Sequence, residues 1–296
     1  AVDCAVFSIK KRRAVMMLPA ALLLTAGIFF KSNSKIWGLG ILAILFVELI
    51  SFLSKKDVRG CVRMLAGIVL LAASIRFTIP AAAGLLGHIT GVTMQGGVPG
   101  ISWVAMGIED GDPPGGFNGL TVALYEENDY DTGATAKAAW EHIFYTLGIY
   151  RRDPARGFKW FTEKQRNNWS DPTYTAARRV TGHKNEATEF GKRYLKLVKK
   201  ELKKNGFLWL LMTYYHTWAY VGALCAMLIF FVRPGRSAYE CLLLTIFVGG
   251  FLCHVIWEGK PQYGIPYTLV LTFYSIYGYS RLADELFHRS ARIRKA

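Results

Sequence analysis

The apolar residues of this 296-residue chain come in six long blocks, and this arrangement restricts its fold more than any other feature. The blocks are Ala14–Phe30, Ile36–Phe52, Met64–Ile79, Leu208–Phe231, Tyr239–Trp257 and Ile265–Tyr279. A soluble domain of this length would show short periodic stretches instead. At 1.5 Å per residue each block approaches a hydrocarbon core of about 30 Å, the shorter ones with interfacial flanks. Backbone exposed to lipid must satisfy its own hydrogen bonds, so all six are expected to be helices. The expected fold is an all-α membrane protein with about six transmembrane helices. A mostly helical extracytoplasmic subdomain is expected between the third and fourth.

Charge placement sets the expected orientation. Lys10, Lys11, Arg12 and Arg13 precede the first block, and Lys55, Lys56, Arg59 and Arg63 lie between the second and third. Arg233 and Arg236 separate the fourth and fifth; Arg281, Arg289, Arg292, Arg294 and Lys295 follow the sixth. The alternate loops hold only Lys31 and Lys35 in one and Lys260 in the other. The positive-inside rule then puts both ends of the chain in the cytoplasm of a plasma (inner) membrane protein. The expected domains are three helices over 1–79, an extracytoplasmic subdomain over 80–206, three helices over 207–280, and a basic cytoplasmic tail over 281–296. The net charge of +15 is thus largely topological, which argues against nucleic acid as a partner.

The long central segment divides by charge. From Phe77 to Ala136 it has no Lys or Arg but carries Glu109, Asp110, Asp112, Glu126, Glu127, Asp129 and Asp131. Its GGVPG and GDPPGG runs read as turns. Ala134–Tyr150 has helical spacing through Trp140, Ile143, Phe144 and Leu147. Arg156–Trp169 reads as a second helix, stopped near Asp171-Pro172. Asn185–Lys204 reads as a third, with Phe190, Tyr194, Leu195, Val198 and Leu202 on one face and lysines opposite. A basic amphipathic helix before a span usually lies at the membrane surface.

Signatures of soluble enzymes are missing: there is no GxxxxGK[ST], GxSxG or HExxH. None of the five cysteines lies in the long polar segment, so no disulfide framework is implied there. His216 and His254 sit inside apolar blocks, either packed and hydrogen-bonded or lining a polar cavity. Glu48, within the second block, is open to a structural role or a substrate cavity. Arg76 ends the third block near the outer face, where it either snorkels or holds a lipid phosphate. The turn between the last two blocks, Trp257-Glu258-Gly259-Lys260-Pro261-Gln262-Tyr263, packs a carboxylate, an ammonium, an amide and a phenol against the membrane surface. Trp257 and Tyr263 suit an aromatic belt; the density of polar groups suggests a site for a substrate phosphate. Glycines follow Trp103 and flank Asn118, and they permit close approach of backbone to a ligand.

The segments SWVAMG, GGFNG, YEENDYDT and KQRNNWSDPTY, then WEGKPQYGIPY, occur in this order. From Phe77 to Arg281 this resembles the C-terminal half of bacterial membrane glycosyltransferases of the GT-C fold, in the protein-mannosyltransferase-like (family 39-like) group. The resemblance implies transfer of a sugar from a polyprenyl-phosphate carrier to a cell-envelope glycan, lipid or protein on the outer membrane face. Donor phosphate and sugar would be met by Lys260, Glu258, Gln262 and Tyr263, with Arg76 in support. Trp103, Asn118, Lys164, Trp169 and Asp171 would line the acceptor side; loop packing for Trp169 and helix-stop chemistry for Asp171-Pro172 stand as alternatives. No cofactor is fixed, and a divalent metal is left open. The catalytic aspartate of such enzymes lies in a first outer loop; the KSNSK loop carries no acid, so that loop is expected upstream of Ala1. The other class of reading is a non-catalytic transporter or assembly partner with a glycan-binding outer domain. A transporter would favour Gly/Pro-broken spans in two related halves.

Overall fold

The computed structural model describes residues 1–11, 13–92, 96–111, 114–175, 188–232 and 237–293. Arg12, Asp112, Arg233, Arg236, Arg294 and Lys295 of the charge argument, and residues 185–187 of the expected third helix, lie outside them. Among the described residues the only regular structure is helical. In chain order the helices are α1 Val2–Lys11, α2 Met17–Phe30, α3 Ser34–Ser54, α4 Val58–Thr90, α5 Gly100–Ile108, α6 Leu120–Glu127, α7 Thr132–Arg152 and α8 Pro154–Ser170. They continue with α9 Glu189–Leu202, α10 Phe207–Val232, α11 Leu242–Ile256 and α12 Ile265–Ile293. The chain forms two compact units, Ala1–Gln95 with Gly235–Phe251, and Gly96–Pro234 with Leu252–Ala296.

In the first unit α2, α3 and α4 pack side by side. Their contacts use small residues: a Cβ on Gly38 would sit 2.8 Å from Leu24 and 2.9 Å from Ile75, and one on Gly40 would sit 2.5 Å from Ile246. Small residues let helices approach closely where no water drives them together. The outward faces are apolar as well, with Leu22, Phe30, Phe46, Ile50 and Val69 all more than half exposed. Helices apolar all round belong in lipid or a large core, and these faces meet no core. Among the described residues, three stretches are long and apolar enough to cross a membrane, by length and composition: α3, α4 and Ala238–Ile256.

Two expectations shift here. The third block does not end at Ile79, because α4 runs for 33 residues to Thr90 with Pro80 inside it. Arg76 therefore lies mid-helix rather than at a helix end, exposed and over the Phe77 ring at 5.7 Å. Pro80 removes one backbone donor, but the alanines and leucines beyond it are good helix formers and carry the helix on. The sixth block likewise continues, as α12, to Ile293.

In the second unit α5 to α8 close over a core of Ala105, Ile108, Leu124, Ala139 and Ile143. The buried stripe of α7 is Thr135, Ala139, Ile143, Thr146 and Tyr150. Trp140, Phe144 and Leu147, expected on the packed face with Ile143, are 49%, 67% and 45% exposed. The close approach of α5 admits small residues and excludes those three. Tyr150 Oη donates to the Ile108 carbonyl at 2.9 Å, and Arg156 donates twice to Asp110, at 2.7 and 2.5 Å. Helix α8 starts on local signals: Asp153 accepts from the Arg156 N–H at 3.0 Å and Pro154 occupies the first turn. Helices α10 and α12 pack along their length, with Ser275 Oγ donating to the Ala219 carbonyl and Tyr279 Oη to that of Trp218.

Candidate functional site

The turn from α11 to α12 is where the second unit concentrates buried polar groups. Helix α11 closes with the Trp257 N–H on the Cys253 carbonyl at 2.9 Å, and Pro261–Gly264 forms a 3-10 turn into α12. The turn is held from outside by backbone. The Gly259 N–H donates to the Gly115 carbonyl at 2.8 Å. Gly107 lies so close to Ile256, Trp257 and Glu258 that a Cβ would strike their main chain. Of the glycines flagged in the sequence, Gly107 and Gly115 thus bring parts of this chain together, while a Cβ on Gly119 would meet open space.

Helix α8 supplies the second wall. Lys164, Gln165, Asn168 and Trp169 recur at one-helical-turn spacing and share a face. The Lys164 side chain is fully buried. Its ammonium donates to the carbonyl of Gly107 at the end of α5, and to those of Val255 and Trp257 at the end of α11, both at 2.9 Å. Helix C-termini leave such carbonyls unpaired and attract cations. Its stem packs on Gly115, which adopts a positive φ of 69°, and the Trp160 ring lies 5.3 Å away. Burial pulls its pKa down to about 7, against Cys253 and Glu258, which pull upward. Lys164 is therefore a clamp between three chain segments, with its donors committed to the protein.

Glu258 is 3% exposed. Lys260 Nζ lies 2.6 Å from its Oε1, close as an ion pair but off the hydrogen-bond direction of that oxygen. The same ammonium lies 5.4 Å from the Phe117 ring centre and 5.9 Å from that of Tyr263. The His254 Nδ1 is 3.2 Å from the Glu258 carbonyl, which can only accept, so that nitrogen carries the proton. His254 stacks on Tyr263 at 5.7 Å and meets Trp169 and Tyr267 edge-on or tilted. Trp169 Nε1 donates to Gln165 at 3.0 Å, and Gln165 reaches the His254 carbonyl at 3.4 Å. Asn168 is 5% exposed, packed on Gly259, and neither atom of its amide has a hydrogen-bond partner among the described residues.

The structure thus brings Lys164, Trp169, Glu258, Lys260 and Tyr263 into one cluster, with Gln262 half-buried on the same turn. Asp171 lies just beyond α8 as a turn former: it accepts from the Thr173 N–H and hydroxyl at 2.9 and 2.8 Å and from the Thr175 N–H at 2.7 Å. That turn sends Tyr174 Oη to 2.6 Å from His216 Nε2. Asn118 lies in the turn before α6, accepting from the Leu120 N–H at 3.0 Å, and its amide donates to Glu109. Trp103 is half-buried on α5. Arg76 belongs to the first unit. The cluster's residues do not fit a divalent metal. Glu258 is the turn's one carboxylate and is held by Lys260, and among the described residues no three His, Cys, Asp or Glu gather. Sequence reasoning missed Asn168, Gln165 and Phe117. The signal available was their spacing from residues already marked: Asn168 lies one turn from Lys164, Gln165 one turn from Trp169, and Phe117 inside GGFNG.

A family model described as conserved hypothetical integral membrane protein matches residues 5–277. The chain belongs to this family. That makes it an integral membrane protein, in keeping with the apolar blocks and the lipid-suited first unit. The family's description names no reaction. No curated protein and no solved structure matches the chain.

Proposed function

We propose that this protein is a membrane glycosyltransferase that moves a sugar from a polyprenyl-phosphate donor to a cell-envelope acceptor, with the α11–α12 turn as its donor site. The observation that carries the reading is the pairing, at the end of two apolar helices, of an unsatisfied buried amide with a cation between aromatic rings. Asn168 offers a donor and an acceptor that the protein leaves unused. A buried amide without partners is costly, and a sugar hydroxyl, itself donor and acceptor, satisfies both atoms. Lys260 is half-exposed, so its ammonium can turn from Glu258 to a phosphate oxygen. Phe117 and Tyr263 give apolar ring faces to a sugar.

In the transfer an acceptor hydroxyl attacks the anomeric carbon. A new C–O bond forms, and the bond from that carbon to the phosphate oxygen breaks with its electron pair leaving on polyprenyl phosphate. The acceptor's proton passes to a base, to which we assign no residue. Lys260 stabilises the charge growing on the leaving phosphate, and Glu258 holds the ammonium in place between turnovers. The membrane arrangement we infer with this reading has six spans, α2, α3, α4, α10, α11 and α12, with residues 96–206 extracytoplasmic.

The test is release of polyprenyl phosphate from a panel of polyprenyl-phosphate sugars by the protein reconstituted in lipid with envelope acceptors. Lys260→Ala is expected to lower turnover by about 10²–10³-fold, and Asn168→Ala to raise KM for the sugar-bearing donor. Turnover indifferent to both substitutions would remove the site. No turnover by folded protein with any donor would favour a non-catalytic glycan-binding role.

A further inference from the structure

Helix α9 is an unusual surface. At about 100° per residue, Phe190, Tyr194 and Leu197 fall on one flank, and they are 81%, 58% and 58% exposed. Leu202, on the far side of the apolar arc, is buried, and α9 packs against α10. Beside the exposed flank, Arg193, Lys196, Lys199, Lys200 and Lys203 line an open groove of about 520 Å³, together with Leu197. The helix's two acids are engaged elsewhere: Glu189 pairs with Lys192 at 2.7 Å, and Glu201 accepts from the Phe207 N–H at 3.1 Å. Only residues 203–206 separate Leu202 from α10, an apolar helix of 26 residues.

We infer that α9 is an in-plane membrane helix whose basic groove binds the headgroups of anionic phospholipids. Each part of the surface matches one layer of a bilayer edge. Phe190, Tyr194 and Leu197 enter the acyl boundary, and the adjoining cations meet phosphate oxygens at headgroup depth. A protein partner of ordinary polarity would meet five like charges around one groove. The short connection to α10 holds α9 near the bilayer in a chain whose membrane embedding follows from its family. The inference depends on that embedding and not on sugar transfer, so either can fail alone.

The test uses the full chain with its native cysteines replaced and a bimane fluorophore on Leu197→Cys. It is reconstituted in bilayers carrying dibrominated phosphatidylglycerol or dibrominated phosphatidylcholine. Expected is quenching by both, with phosphatidylglycerol favoured by about fivefold or more, the contribution of one cation at a charged surface. The combined variant Lys196→Gln, Lys200→Gln, Lys203→Gln should bring the ratio near one, and arginines at the same three positions should restore it. Absence of quenching would place the helix away from lipid and overturn the inference. So would equal quenching by both lipids, or a preference abolished by millimolar pyrophosphate, which marks a site for a soluble anion.

Discussion

Lys164 and Gly107 carry the second unit's geometry in opposite ways, one by filling space with charge and the other by leaving it empty. Replacing Gly107 with alanine drives a Cβ into the backbone of Ile256–Glu258, which neither side can yield cheaply. We expect a loss of about 1–3 kcal/mol, seen as a lower Tm in detergent with no change in helix content. Lys164→Met keeps much of the stem's volume and orphans three carbonyls, and should lower Tm. Lys164 also sets a pH dependence. Its folded pKa, about 7, lies below the ordinary 10.5. Above 10.5 the group is neutral in both states and carries no penalty. As pH falls from there toward 7 the unfolded chain takes up the proton first, so folding weakens, and below 7 the effect levels off. Tm measured from pH 7 to 10 should therefore rise more in the native protein than in Lys164→Met.

Among the elements, α10 and α12 form a closely packed pair. Gly222 and Gly278 face each other so closely that a Cβ on Gly278 would overlap the Gly222 carbonyl, and one on Gly222 would sit 2.8 Å from the Ser275 Cα. If both helices span the membrane, as proposed above, packing of this kind depends on small residues, because lipid offers helices no hydrophobic reason to associate. Gly278→Leu is expected to separate the pair. A disulfide-trapping assay between cysteines placed at Ala219 and Ser275 should then lose most of its cross-linked product. Helix α8 depends on different chemistry. Asp171→Ala removes the acceptor for three donors at the turn that follows it, and should free Tyr174 from His216. Helix α7 illustrates a limit of periodicity. Its large apolar residues have correct helical spacing, yet the packed stripe is Thr135, Ala139, Ile143, Thr146 and Tyr150, and Trp140, Phe144 and Leu147 fall outside it.

For the whole molecule, the testable quantity is topology. Under the inferred arrangement Ser32 and Glu127 lie outside and Lys56 inside. In a background without native cysteines, Ser32→Cys and Glu127→Cys should react with a membrane-impermeant maleimide on intact cells, and Lys56→Cys only after permeabilisation. Labelling of all three from outside, or of Lys56→Cys alone, would overturn the arrangement and with it the outer-face site. Helix α9 gives this test added weight, because its cations are numerous and lie immediately before α10. Their location reports whether headgroup binding or loop-charge bias dominates there.

Residue order alone determined that this chain is helical and belongs in a membrane, because long apolar blocks have no other way to satisfy backbone and side chain together. The stop of α8 at Asp171 and the amphipathic character of α9 were legible for a related reason, that helix stops and periodicity act over a few residues, whereas α8 starts at Pro154, two residues before the expected Arg156. The extent of α4 past Pro80 was not, since one lost backbone hydrogen bond is outweighed by the helix on either side. The assembly of the candidate site was not legible either. Lys164, Asn168 and Trp169 stand some 90 residues from the turn they touch, and no local pattern specifies that contact. It arises when the glycines at 107, 115 and 259 let backbones meet and the buried ammonium of Lys164 joins the ends of α5 and α11 through three carbonyls.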